Sequence, residues 1–142
     1  MIKKTKVVLD TNVIVSAFIK YGGNEWRILR KAVSGEIISI TSEGIIEEFV
    51  SVISGQKFGY SKERVNEMKN FITRASQVVV PEEKFDIVKD DPADNKIIDC
   101  AVTGNVNYII SGNKHLLNLE EFRKIKIVNG KKFLDIWDSD GI

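Results

Sequence analysis

Lys6-Val-Val-Leu-Asp-Thr-Asn12 is the stretch that decides the fold, because a short apolar run ends there in an acid and two further polar residues. Uninterrupted apolar runs of this length are typical of strands buried on both faces of a parallel sheet. An acid directly after such a strand lies at the mouth of the sheet, where a site would form. Asp10, Thr11 or Asn12 could instead cap the next helix, although three polar residues in a row exceed what one cap needs.

Strand and helix patterns alternate along the rest of the chain, which indicates an α/β fold with a parallel sheet and helices on both faces. Right-handed crossovers in such a fold place ligands beyond the carboxyl ends of the strands, where the strand order switches. The predicted helices cover residues 13–20, 25–33, 42–54, 61–75, 92–103, 116–122 and 133–137. The predicted strands cover 6–10, 37–40, 77–80, 85–88, 107–111 and 126–128.

Length and composition narrow the class of protein. A chain of 142 residues suits one domain, which we expect to span 1–142. It contains no apolar run near the ~20 residues of a membrane span and no signal-peptide pattern, so we expect a protein without membrane contact. The single cysteine, Cys100, excludes an internal disulfide and is typical of a cytoplasmic protein. With one Cys and one His, these ligands cannot build a structural zinc site.

The net charge of +1 does not by itself indicate nucleic-acid binding, so a nuclease of this charge needs a local basic patch. Basic residues are frequent at both ends of the sequence, and we interpret them as parts of a solvated surface of mixed sign. They are Lys20, Arg27, Arg30 and Lys31 near the start, and Lys114, Arg123, Lys124, Lys126, Lys131 and Lys132 near the C-terminus.

Asp94 is the acid with the most informative position. On the predicted helix it shares a face with the apolar residues Ile97, Ile98 and Ala101, so its carboxylate points along the buried side. A buried carboxylate is costly unless it is paired or holds a metal ion. The alternative is a capping box, in which Asp91 is the N-cap and Asp94 the reciprocal acid.

Two further polar elements fall where this architecture places a site. Glu48 lies beside the apolar stripe of its helix, whereas Glu47 lies farther beyond the other edge, so Glu48 is the glutamate expected to reach inward. Ser111-Gly-Asn113 follows the strand run Tyr108-Ile-Ile110, at its carboxyl end. The alternative for this segment is a plain turn, since all three residue types favour turns. Asp99 points away from the apolar face and could be a solvated charge.

Taken together and in order, four segments resemble the PIN-domain family of nucleases, and they fit the chain from Lys6 to about Asp135. Within that family the chain is most similar to the VapC-like toxins of prokaryotic toxin–antitoxin systems. The segments are Val8-Leu-Asp-Thr-Asn-Val13, Thr41-Ser-Glu-Gly-Ile-Ile-Glu-Glu-Phe49, Asp91-Pro-Ala-Asp-Asn-Lys-Ile-Ile-Asp-Cys-Ala101 and Tyr108-Ile-Ile-Ser-Gly-Asn-Lys-His-Leu-Leu117. The resemblance implies a three-layer α/β/α sandwich around a central parallel sheet.

The resemblance also implies a function, a metal-dependent endoribonuclease that hydrolyses RNA phosphodiester bonds with Mg²⁺ or Mn²⁺. The implied partners are the RNA substrate, an antitoxin protein and a second copy of the chain in a homodimer. The implied catalytic residues are Asp10, Glu48, Asp94 and Asn113, and the implied metal ligands are Asp10, Asp94, Asp99 and Asn113. Thr11 and Asn12 would support the first acid, and Lys114 would contact RNA phosphates.

Asn113 is a departure from the family pattern, in which an aspartate usually stands before Lys-His-Leu-Leu. Asparagine keeps an oxygen ligand but lacks the charge, so we expect the site to bind one metal ion, or a second one only weakly. The same substitution predicts that catalysis is slow or absent. The main alternative function is therefore a weak or inactive PIN module that binds RNA or an antitoxin. A phosphatase or a DNA nuclease could use the same acids. A nucleotide-binding domain is disfavoured, because the sequence lacks the Gly-rich phosphate motifs.

Overall fold

The computed structural model describes residues 3–89 and 91–140, and Met1, Ile2, Asp90, Gly141 and Ile142 lie outside it. The predicted extent of the domain, 1–142, includes these five residues and stays a prediction. Within the described ranges, no helix is both long and apolar enough to cross a membrane.

A six-stranded sheet of order β3-β2-β1-β4-β6-β5 forms the centre of the structure. Its strands are β1 (Lys6–Leu9), β2 (Ile38–Thr41), β3 (Ser76–Val78), β4 (Tyr108–Ile110), β5 (Glu121–Phe122) and β6 (Ile125–Val128). The pairs β1–β2, β1–β4, β2–β3 and β4–β6 are parallel, and only β5 runs antiparallel to its neighbour β6. The chain moves from β1 to β2 and β3 on one side and later to β4 and β6 on the other, so the strand order switches between β1 and β4.

Within residues 3–89 and 91–140, seven helices flank this sheet. They are α1 (Thr11–Ile19), α2 (Asn24–Val33), α3 (Glu43–Ile53), α4 (Lys62–Ala75), α5 (Asn95–Gly104), α6 (Lys114–Leu117) and α7 (Gly130–Asp140), with a 3₁₀ turn at Pro92–Asp94 before α5. Local residues fix several of the ends. The hydroxyls of Ser42 and Ser61 accept hydrogen bonds from the backbone N–H of Ile45 and Arg64, as N-caps do.

The core lies on both faces of the central strands. Val7, Val8 and Ile110 are fully buried, as expected for strands covered by helices on either side. Helix α5 packs on β1, β2 and β4, while α1 packs on α2 and α3, and α2 in turn packs on α7. The predicted α/β class and the parallel sheet are confirmed.

Three element predictions are wrong. Residues 85–88 form no strand; they follow an irregular path, and the buried amide of Asn95 holds the backbone N–H groups of Ile87 and Val88 at 2.8 and 2.9 Å. The helix predicted at 116–122 ends at Leu117, because the chain then turns into the short strand β5. The last helix runs three residues further each way than 133–137, from Gly130 to Asp140.

Candidate active site

Asp10 directly follows β1 at the switch point and is 4% exposed. Its carboxylate accepts a 2.7 Å hydrogen bond from the Ser111 hydroxyl, which lies at the end of the neighbouring strand β4. Asp10 is the N-cap of α1 by position, but its side chain makes no cap hydrogen bond, so capping does not account for this acid. Burial raises the pKa of Asp10, the Ser111 hydrogen bond opposes that rise, and the charges of Glu48 and Asp91 add to it.

Ser111 connects the first acid to the segment that follows β4. Its side chain is fully buried, and its hydroxyl oxygen also accepts a 2.9 Å hydrogen bond from the backbone N–H of Asn113. The Asn113 side-chain oxygen caps α6 by accepting from the N–H of His115 at 2.8 Å. The Asn113 side-chain nitrogen donates to Asp94 Oδ2 at 2.6 Å. One continuous chain of hydrogen bonds therefore runs from Asp10 through Ser111 and Asn113 to Asp94.

Asp94 lies in the 3₁₀ turn before α5 and is half-buried. The capping-box alternative is not realised, since neither Asp91 nor Asp94 makes a side-chain cap hydrogen bond. Burial raises the pKa of Asp94 to about 6, with further contributions from the charges of Asp10, Asp91 and Glu48 and a smaller opposing one from His115. Several carboxylates are thus close enough to repel one another.

Glu48 is half-buried on α3, and Glu47 is exposed, as predicted for the two glutamates. The Glu48 carboxylate accepts a 2.8 Å ion-pair hydrogen bond from Lys96 on α5. Burial alone would raise the pKa of Glu48, but the hydrogen bond and charge of Lys96 lower it below the ordinary value. The buried Thr11 hydroxyl is close enough to contribute to this lowering, although it has no well-aligned hydrogen-bond partner among the described residues.

The other predicted site residues lie at the margin of this cluster or outside it. Asp99 accepts a 2.7 Å hydrogen bond from the backbone N–H of Phe85, and it is not among the charges that shift the pKa of Asp10 or Asp94. Its metal-binding role stays a prediction. The side chains of Asn12 and Lys114 are exposed, Lys114 at the first residue of α6.

Sequence reasoning placed Ser111 in a polar segment at this edge of the sheet without giving it a role in the site, missed Lys96, and assigned Asp91 only a capping role. A polar residue at the last position of a buried strand was the available signal for Ser111. Lys96 gave a weaker signal, a cation two residues after Asp94 and directly before the apolar pair Ile97 and Ile98.

The carboxylate oxygens of the cluster are ligands of the kind that Mg²⁺ and other hard divalent cations prefer. Asp10 and Asp94 offer carboxylate oxygens at one edge of the sheet, and their mutual repulsion is what a cation relieves. No group of three or more His, Cys, Asp or Glu side chains within residues 3–89 and 91–140 is arranged to hold a metal ion. Mg²⁺ usually takes only one or two carboxylates and keeps several waters, so the pair Asp10 and Asp94 meets its needs. Glu48 already forms an ion pair with Lys96.

The structure is that of an α/β protein with a carboxylate site at the switch point of a parallel sheet. Comparison with known protein families identifies the family. A family model described as PIN domain matches residues 6–115, most of the chain. The chain therefore belongs to the PIN domain family, whose members are generally nucleases that use divalent metals. The resemblance stated from the sequence is confirmed.

Two known proteins illustrate the similarity. An uncharacterized protein of Methanocaldococcus jannaschii is 30% identical over 129 residues, which cover 89% of this chain and 82% of that protein. A chain in the crystal structure of VapBC2 from Rickettsia felis bound to a DNA fragment from their promoter has a TM-score of 0.63 at 15% identity. That match covers 88% of this chain and 98% of the other. It shows a shared fold, which confirms the predicted sandwich of helices around a central sheet.

Proposed function

We propose that this chain is a metal-dependent endoribonuclease of the toxin type that hydrolyses RNA phosphodiester bonds. The observation that carries the proposal is the buried Asp10, coupled by charge to Asp94 and connected to it through Ser111 and Asn113. Carboxylates that repel each other at the carboxyl edge of a parallel sheet favour a divalent cation there. Membership of a nuclease family supports the same reaction class.

In this proposal Asp10 and Asp94 hold Mg²⁺ or Mn²⁺. When bound, the cation supplies a water of lowered pKa and neutralises charge on the phosphodiester. Ser111 fixes the orientation of the Asp10 carboxylate, because its hydroxyl donates a hydrogen bond to Oδ2. Asn113 fixes Asp94 in the same way through its amide nitrogen. Lys96 holds the Glu48 carboxylate at the rim of the site, where it could orient a water.

Cleavage of a labelled single-stranded RNA in Mn²⁺, Mg²⁺ or EDTA tests the proposal. We expect cleavage with either metal, none in EDTA, and a loss of at least about 100-fold in Asp10→Asn, because a ligand to the cation is neutralised. Asp138→Asn, which changes an exposed carboxylate of α7, serves as the matched control and should keep full activity. Activity that persists in EDTA or in Asp10→Asn would contradict the proposal. Hydrolysis of single-stranded DNA or p-nitrophenyl phosphate in preference to RNA would favour the DNA nuclease or the phosphatase.

The proposed partners follow from the structural similarity rather than from this chain alone. The VapBC2 structure contains a toxin–antitoxin pair, which supports an antitoxin partner for this chain too. We also propose a homodimer acting in the cytoplasm. Light scattering at tens of micromolar should return twice the mass of 16.0 kDa. A monomer mass would contradict the dimer.

A second candidate function is a weak or inactive PIN module that binds RNA or an antitoxin. Two contacts favour it specifically. Lys96 already pairs with Glu48, and Asn113 presents a nitrogen donor to Asp94 where an oxygen ligand is expected. Mn²⁺ titration separates the two functions, because the inactive module should show no Mn²⁺ binding that depends on Asp10.

A further inference from the structure

The edge of the sheet opposite the acids carries a cleft with a different charge. The cleft has a volume of about 770 Å³ and lies at the amino ends of β1, β4 and β6. Five cations line it, and none of its lining residues is an acid; the cations are Lys3, Lys4, Lys6, Arg123 and Lys124. The protein as a whole is nearly neutral, so its charge is polarised, with carboxylates at one edge of the sheet and this basic cleft at the other.

The turn between β5 and β6 supports a role for this charge beyond solubility. Its two residues, Arg123 and Lys124, have φ of 49° and 72°, in the left-handed region. A two-residue hairpin turn with positive φ at both positions favours Asn and Gly, so Arg and Lys are unfavourable choices for local folding. Unfavourable backbone conformations persist preferentially at functional sites. Here the turn holds two cations at the cleft.

Arg123, one of the residues that line the cleft, packs against two aromatic rings. The Arg123 guanidinium lies 4.9 Å from the ring centre of Phe85 and 5.5 Å from that of Phe122. The two half-buried rings are in edge contact with each other, and they hold the guanidinium in place. In proteins that bind single-stranded nucleic acids, bases stack on guanidinium planes or aromatic rings, and basic side chains contact the phosphate backbone. The neighbouring amides of Asn105 and Asn107 add neutral polar groups to the lining.

We propose that this basic cleft binds the phosphate backbone of single-stranded RNA at a distance from the acids. The choice of RNA rests on the proposed function, while the need for a polyanion rests on the cleft itself. The four residues of β1 separate the two edges by about 13 Å, at ~3.3 Å per residue. Because β1 is buried between helices, an RNA that reaches from the cleft to the acidic edge runs around the outside of the domain and covers more than this distance. The cleft then supplies the attraction that the repulsive acids cannot, and it raises the local concentration of RNA.

The test measures RNA binding without cleavage. A 5′-fluorescein-labelled U₁₂ RNA is titrated in EDTA by fluorescence anisotropy, at several salt concentrations, with the triple variant Lys3→Gln/Lys4→Gln/Lys124→Gln. Loss of three phosphate contacts should weaken binding at least about 10-fold and reduce the slope of log K against log salt by about 2, at ~0.7 per contact. The matched control, Lys62→Gln/Lys69→Gln/Lys132→Gln, removes the same charge from exposed positions of α4 and α7 and should bind as the wild type does.

A second variant tests whether weaker RNA binding could result from misfolding rather than from the loss of a phosphate contact. Lys124→Gly relieves the left-handed backbone at φ 72°, so it should raise the melting temperature while weakening RNA binding and reducing the slope by about 0.7. A purely structural turn would show the first effect without the second, which would overturn the proposal. Equal losses in the cleft triple and the control triple would also overturn it. Tighter cleft-dependent binding of a 12-base-pair DNA duplex or of phosphatidylserine vesicles would overturn the assignment to single-stranded RNA.

The RNA-binding experiment and the RNA-cleavage experiment can fail independently of each other. If the cleft triple binds RNA as the wild type does while Mn²⁺-dependent cleavage is present, this inference fails and the nuclease stands. If binding depends on the cleft but no metal supports cleavage, the inference stands and the nuclease fails.

Discussion

Replacing Asp94 with asparagine removes the carboxylate whose pKa is raised to about 6, by burial first and then by the charges of Asp10, Asp91 and Glu48. The substitution keeps the size of the side chain. Its amide oxygen can still accept the hydrogen bond that the Asn113 nitrogen donates in the native protein. We therefore expect Asp94→Asn to stabilise the metal-free protein and to abolish the proposed cleavage.

The sign and size of the effect follow from the pKa. An unfolded chain loses the Asp94 proton near 3.8 and the folded chain near 6, so between these values the folded state binds more protons. The free energy of unfolding of the wild type therefore falls as the pH rises through this window and stays lower above it. The full change corresponds to about 3 kcal/mol, but Asp94 is only half-buried. Solvent screening reduces the expected gain in Asp94→Asn to about 1 kcal/mol at pH 7.

Urea denaturation in EDTA at pH 3.5, 5, 6, 7 and 8 measures this. Asp94→Asn should match the wild type at pH 3.5, where both side chains are neutral, and exceed it by about 1 kcal/mol, or ~2–4 °C in melting temperature, at pH 7. Some pH dependence should remain in the variant, because the pKa of Asp10 is raised too. Asp138→Asn again controls for the loss of an exposed carboxylate.

Two results would refute the reasoning. A variant less stable than the wild type at pH 7 would mean that the ionised Asp94 stabilises the fold through its hydrogen bond with Asn113. A variant with wild-type stability at every pH would mean that neither burial nor the neighbouring carboxylates destabilise the ionised Asp94 in the folded state. Retained Mn²⁺-dependent cleavage in Asp94→Asn would remove this residue from the proposed site.

Three further predictions concern metal binding and packing. Saturating Mn²⁺ should stabilise the wild type by about 3 kcal/mol at 100 times Kd, and Asp10→Asn should lose this gain in a thermal-shift titration. Asn113→Asp replaces the hydrogen-bond donor to Asp94 with a second carboxylate, so it should lower the free energy of unfolding in EDTA by about 1–2 kcal/mol. It should also tighten Mn²⁺ binding, measured by calorimetry. An unchanged affinity for Mn²⁺ would exclude residue 113 from the metal shell. Gly104→Ala places a Cβ 2.6 Å from Cγ2 of Ile40, so it should cost about 1–3 kcal/mol in urea denaturation, and a neutral effect would show that β2 and α5 can separate freely.

Much of the fold could be predicted from the sequence, because periodicity and turn residues report burial along short stretches of chain. The run at 6–10 predicted a buried strand ending in an acid; in the structure β1 ends at Leu9, and Asp10 directly follows it with its side chain buried. The prediction failed at 85–88, where apolar residues suggested a strand. There the side chain of Asn95 takes up the backbone N–H groups that a strand would have paired with its neighbour.

The sequence by itself determined the α/β class and the group of acids that follow or face the carboxyl ends of the strands. Only the tertiary structure decided what those acids contact. Ser111 reaches Asp10 across 101 residues and Lys96 reaches Glu48 across 48, because β4 inserts beside β1 and α5 packs beside α3. Strand order and helix packing set such contacts, and local periodicity carries no information on either. The basic cleft has the same origin, since its cations come from the two ends of the chain and meet only where parallel strands begin side by side.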